Sequence, residues 1–304
     1  MTPIPVTVTE QKIPEEPTLP PHYVIPGEFT GKEQVIHDQV TENYASQKRA
    51  YGGDEYYDGR FERPFDQEMG YLGNLDIVKA TLTRTDPNFV FVTIQVARPV
   101  EAAVNNTAYY GLELDLNRDG RSLFMIRGLG PITDQWTTEG VDVWKSTAAE
   151  HPYSVAEEGS IPVTGSLGFD VSLLKSGRGS DNDLAWIRLK PGADDLVEIA
   201  FKSSIIGGEK GKFIWRPFTD GAVFSEKQYD LQVNYTLEQA GSPYRGEPDY
   251  PLKDVFAVDN TCRAASGYEP TGYEPGICPL SLPEPPPEHG QPSSPCVNPN
   301  GGPC

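Results

Sequence analysis

Cysteine is nearly missing from this chain of 304 residues: there are four, and none precedes Cys262. Methionine is scarcer still, at three. Positive charge is in short supply, since 25 Lys and Arg against 44 Asp and Glu leave a net charge of −19. A surface this acidic repels phosphate backbones, which excludes nucleic acid as a partner. No apolar run approaches the ~18 residues of a membrane helix, so no transmembrane segment is expected. Catalytic signatures are lacking too: there is no G-x-S-x-G, no H-E-x-x-H and no Walker-type loop. The four histidines, His22, His37, His151 and His289, sit beside no motif that marks a nucleophile.

Glycine and proline, by contrast, are plentiful, at 30 and 29 residues. With 10% aromatics, they point to strands joined by tight turns rather than to long helices. The hydrophobic period bears this out. In 87–99, Val90, Val92, Ile94 and Val96 alternate with Phe89, Phe91, Thr93 and Gln95, the pattern of a strand buried on one face and partly on the other. Similar segments are expected at 76–85, 107–116, 121–129, 141–146, 167–174, 184–190, 195–202, 212–218 and 228–237. Their spacing leaves no room for crossover helices. The expected fold is all-β, a jelly-roll-like β-sandwich.

One short N-terminal helix is expected over 32–50, where Val35, Ile36, Val40 and Tyr44 form an apolar stripe and Gly52-Gly53 stops it. The ends are irregular. Residues 1–30 form a Pro-rich linker or strap, 31–258 the sandwich, and 259–304 a Cys/Pro-rich tail in which GYEP occurs twice. The cluster 51–65, dense in Tyr, Asp and Arg, reads either as a binding rim or as an ordered strap.

Cys262, Cys278, Cys296 and Cys304 all fall in that tail. An even count confined to a Pro/Gly-rich segment reads as two disulfides in an exported protein. Pairing of neighbours, Cys262 with Cys278 and Cys296 with Cys304, is the simplest of three connectivities. A zinc site is the alternative, although no C-x-x-C spacing is present. The residues after Met1 have neither a basic n-region nor an apolar h-region, which leaves either a mature exported form with its signal removed or a cytoplasmic chain with free cysteines; the cysteine placement and the metal-type loop below favour export. The expected location is extracellular or at the cell surface.

The sharpest motif is Asp115-Leu116-Asn117-Arg118-Asp119-Gly120-Arg121. Oxygen-bearing side chains stand at positions 1, 3 and 5, Gly takes the turn at 6, and the carbonyl of Arg121 is the next ligand. Hard oxygens in this order suit Ca²⁺. The flanks read as strands, and position 12 is Ile126 rather than Glu, so the loop would lie at a strand turn and take a further acid from Asp134, Glu139 or Asp142. The alternative is a plain hairpin turn. Among the tryptophans, Trp186 and Trp215 read as core, whereas Trp136 and Trp144 flank a turn where an indole face could stack on a sugar.

Taken in order, RFERPF, NLDIVKATLTRTDPNFVFVTIQV, YGLELDLNRDGRSLFMIRG and WTTEGVDVW make residues 54–237 resemble secreted bacterial β-sandwiches of the carbohydrate-binding module family 9 and DOMON-like type. The resemblance implies structural calcium, with Asp115, Asn117 and Asp119 as ligands, and binding of sugars. Three functions follow as expectations. The first is a non-enzymatic, calcium-stabilised exported sandwich that binds polysaccharide or sits on the cell surface. The second is a structural subunit of a surface layer or extracellular filament, whose partner is a copy of itself. The third is a polysaccharide hydrolase, which needs two carboxylates ~5–9.5 Å apart across a cleft.

Overall fold

A computed structural model describes residues 22–50, 61–100, 108–130, 133–150 and 168–279. Two antiparallel sheets face each other. The first contains β1 (Gln34–His37), β2 (Ile77–Thr83), β3 (Phe89–Val96), β9 (Ala185–Leu189) and β10 (Leu196–Lys202), in the order β1-β2-β3-β10-β9. The second runs β12-β11-β4-β5-β6-β7-β8. Its strands are β4 (Tyr109–Asp115), β5 (Phe124–Leu129), β6 (Val141–Lys145), β7 (Val171–Lys175), β8 (Arg178–Gly179), β11 (Phe213–Asp220) and β12 (Val258–Asn260). A further strand, β13 (Ala264–Ser266), also pairs with β11.

Alternation builds the core directly. Val90, Val92, Ile94 and Val96 of β3 meet Leu112 and Leu114 of β4, Ile126 of β5 and Trp215 of β11 in one buried cluster. The residues between them point outward, yet many of these are buried as well, because other segments cover both outer faces. Across the first sheet lie residues 22–31. Phe29 stacks on Phe91 with centroids 4.4 Å apart, and Glu28 pairs with Arg188 at 2.7 Å. The Asp183 carboxylate accepts from the His22 ring and from the backbone N–H of Tyr23 and Val24. Over the second sheet, Phe61, Phe169, Phe224, Tyr229 and Val255 pack on Met125 and Phe218. Phe61 and Phe65 are thus buried, which takes this end of the 51–65 cluster into the interior.

Proline marks a handover in β11. β13 pairs with Phe213–Trp215 and β12 with Phe218–Asp220, so the partner strand changes where Pro217 has no N–H to offer.

Three expectations are corrected. The segment 32–50 is not one helix: Gln34–His37 pairs with β2, and only Thr41–Gln47 turns, as a 3-10 helix. Ile36 alone of the apolar stripe reaches the main core, and the buried Asp76 carboxylate accepts the Thr41 N–H, starting the turn late. The strand expected at 228–237 is instead two short helices, α1 (Leu231–Asn234) and α2 (Leu237–Ala240). Asp230 adopts φ 59° and Thr236 caps α2, both of which break an extended run. Finally, β12 straddles the boundary drawn at 258/259. Asp259, Cys262, Ala264 and Ala265 are buried, so residues 259–279 are integral to the sandwich.

Candidate functional site

The Asp115–Arg121 segment links β4 to β5 as a tight turn. Asp115 accepts from the backbone N–H of Arg118 at 2.5 Å and of Gly120 at 2.8 Å. Asp119 accepts from the N–H of Arg121 at 3.0 Å and pairs with its guanidinium at 2.9 Å. Asn117 donates to the Ala149 carbonyl at 2.5 Å. Gly120 has φ 93°, and a Cβ there would come within 2.8 Å of Pro275. Pro275 belongs to the second GYEP; Tyr268 of the first lies under the Arg118 guanidinium at 5.1 Å. Both tetrapeptides therefore pack on this turn. Of the acids expected to complete a metal site, Asp142 lies 3.4 Å from Arg127, while Asp134 and Glu139 are exposed.

Beneath the turn lies a buried charge network. Glu113 and Arg216 stand directly opposite on β4 and β11, 2.6 Å apart. Asp230 lies 3.6 Å from Arg216 and 3.5 Å from Arg263, and Arg263 lies 3.7 Å from Asp115. Burial alone would raise the Glu113 carboxyl, but Arg216 and Arg263 outweigh it and hold it below the usual carboxylate range. Asp230 is pushed up to about 6, by burial first and by the Glu113 charge second. Burial also raises Asp115, against the pull of Arg263. These groups are buried, and they link β4 and β11 of one sheet to Asp230 and Arg263.

A second gathering of acids has no local motif. Asp38, after β1, Glu62 and Asp259 of β12 each bring a carboxylate oxygen within 4.8 Å of the other two. Glu62 and Asp259 are buried. Each of the three has a further interaction, and Asp259 accepts the Ile77 N–H at 2.6 Å and the Asn260 N–H at 2.9 Å; oxygen donors of this kind are the type that a hard cation takes. They come from three distant parts of the sequence: the bridge between Arg63 and Val258 sets Glu62 beside β12, the Ile77 N–H bonded to Asp259 at 2.6 Å ties β12 to β2, and β1 pairs with β2.

The two tryptophans expected to form a sugar platform are each partly covered. Trp136 is half-buried, its ring 6.0 Å from Phe91 and 4.3 Å from the Arg188 guanidinium. Trp144, also half-buried, packs beside Met125 and Phe218, with the Lys175 ammonium 5.8 Å from its ring. Trp186 and Trp215 are buried, as expected of core. Cys262 and Cys278 form a disulfide with Cα atoms 4.9 Å apart, the local pairing expected. Cys296 and Cys304 lie outside the described residues, as do His151 and His289.

A groove of about 1000 Å³ opens on the side of the sandwich where β1 and β13 approach. One wall is β1 with Lys32 and Glu33, and the other is the disulfide-closed segment 262–270 and 277–279. Gln34 bridges the two, donating to the Ala265 carbonyl at 2.5 Å and accepting from the Trp215 indole at 3.0 Å. Among the described residues, β1 is an edge strand. Asp38 N–H bonds the Val78 carbonyl, so the antiparallel alternation turns the N–H and C=O of Val35 and His37 away from β2 and toward the open side. Comparison with known proteins finds no matching protein family, no matching curated protein and no matching solved structure.

Proposed function

We propose that this protein is a non-enzymatic β-sandwich of the cell exterior, braced by Ca²⁺, that works as a subunit of an assembly through the groove beside β1. The observation that carries this reading is the open strand edge beside a disulfide-braced wall: exposed backbone donors and acceptors invite pairing with an extended chain. The Cys262–Cys278 bond supports an oxidising location. The packing of Trp136 and Trp144 turns the reading from sugar binding toward assembly, since an indole wedged beside an arginine offers less open face for a sugar ring.

Light scattering at rising concentration, in calcium, tests the assembly. Growth in mass supports it, and a strict monomer overturns it. Retention on insoluble polysaccharide, lost in Trp136→Ala, would establish the glycan reading instead. Thermal melting with and without chelator tests the brace, because an ion that binds only the folded chain raises its stability. A lower melting temperature in chelator is expected in the parent and is abolished in Asp259→Asn if the three-carboxylate cluster holds the ion. If Asp119→Asn abolishes it instead, the ion lies in the Asp115–Arg121 turn; no shift at all removes calcium.

A further inference from the structure

The groove has a donor on the page, and the inference rests on the assembly reading above. Residues 22–31 cross the outer face of the first sheet, from Asp183 and Trp186 at the β9 edge to Lys32 at the β1 edge. Chain upstream of His22 therefore departs at the edge opposite the groove, about 19 Å away at ~4.8 Å per strand. That upstream sequence contains prolines 3, 5, 14, 17, 20 and 21, which cannot donate to a ladder. Between Pro5 and Pro14 lies a proline-free run that begins Val6-Thr7-Val8-Thr9, with the strict alternation of a strand. It is long enough to pair with the open edge of β1, where Val35 is 45% exposed and stands between two outward-facing neighbours, Glu33 and His37.

We propose that the Val6–Thr9 segment of one copy adds as a strand to β1 in the groove of a second copy. The root of the donor at His22 and the acceptor strand lie on opposite edges of the same sheet, so we take the contact as head-to-tail. It propagates into a chain of subunits rather than closing as a two-fold dimer. The groove recognises the segment through backbone bonds to Val35 and His37, and its apolar floor at Ile36 and Leu82 takes the valine side chains.

The test uses the full chain in calcium and two readouts. Light scattering over a concentration series reads assembly, and hydrogen exchange of the Val35 and His37 amides reads occupancy of the groove. Expected are a mass that grows with concentration and amides protected in step with it, both abolished in Val8→Pro. Val8 lies outside the described residues, and an unchanged circular dichroism spectrum separates the loss from unfolding. Val35→Pro, which removes the acceptor N–H, should give the same loss from the other side. Undiminished assembly in Val8→Pro overturns the donor assignment and leaves the assembly reading standing. A monomer with exchanging amides overturns both. Protection that persists in a monomer at the lowest concentration shows the segment in its own groove and overturns the head-to-tail arrangement. Protection that depends on added polysaccharide and survives Val8→Pro assigns the groove to glycan.

Discussion

The two edges of the five-stranded sheet are finished differently. At β9, the loop carrying Thr137 bonds Ile187 in both directions, at 3.1 and 2.9 Å, and Leu189 donates to Thr133 at 2.9 Å. At β1, the second row of backbone groups faces a groove instead of a neighbour. A bare edge is a template for another strand, and proteins usually blunt such edges. One edge of the same sheet is blunted and the other is kept open beside a covalently braced wall. The proposed assembly rests on this difference between the two edges.

The comparison can be broken from its wall. Replacing Cys262 and Cys278 together by Ser should cost about 3 kcal/mol, the loop-entropy figure for a closure of this size. Urea unfolding measures it, and hydrogen exchange at 263–266 should rise. A change below about 1 kcal/mol would mean that Arg263 and the packing of Tyr268 and Pro275 hold the wall without the bond.

Proline at each edge sharpens the contrast. Thr137→Pro removes a donor that Ile187 uses and leaves its carbonyl unsatisfied, at about 2 kcal/mol. Val35→Pro removes a donor that faces the open side, and should cost the isolated subunit under about 0.5 kcal/mol. Equal losses in the two variants, by thermal melting at low concentration, would show that the β1 edge is closed in the folded subunit.

The turn that follows β1 carries an effect of slope with pH. The Asp76 carboxyl is raised to about 6 by burial, against hydrogen bonds from Tyr71 and from the N–H groups that start the 3-10 turn. A raised acid binds its proton more tightly when folded. Its contribution to stability is therefore greatest at low pH and declines as pH climbs from about 4 to about 6. Asp76→Asn cannot lose a proton, so across that window it should gain on the parent. Denaturant midpoints at steps of pH measure the difference, and parallel curves would show that Asp76 titrates normally.

Much of the fold was legible in the sequence because alternation acts locally. Nine of the ten expected segments contain strands, and β3 reads from its valines alone. The failures share one cause. Val35 and Ile36 are compatible with a helix or a strand, and a free edge of β2 decided between them. The run 228–237 has strand-like alternation, but Asp230 is drawn toward Arg216 and Arg263 and turns the backbone left-handed. In the site, the seven-residue motif was visible and so was its glycine. That Pro275 and Tyr268 pack against that turn was not, since the two lie more than 140 residues further along.

By itself, then, the sequence determined nine of the strand-bearing segments and the all-β class, and it made the neighbouring cysteine pairing the simplest of three; these depend on residues close together in the chain. Only the tertiary structure decided which outer faces are covered, which acids converge and which edge stays open. Asp38, Glu62 and Asp259 are ordinary acids until three segments meet. Among the described residues, β1 is an edge because no strand pairs with its second side. Burial, like-charge proximity and an unfilled row of hydrogen bonds are properties of neighbours, and neighbours distant in sequence are fixed only when the sheets close.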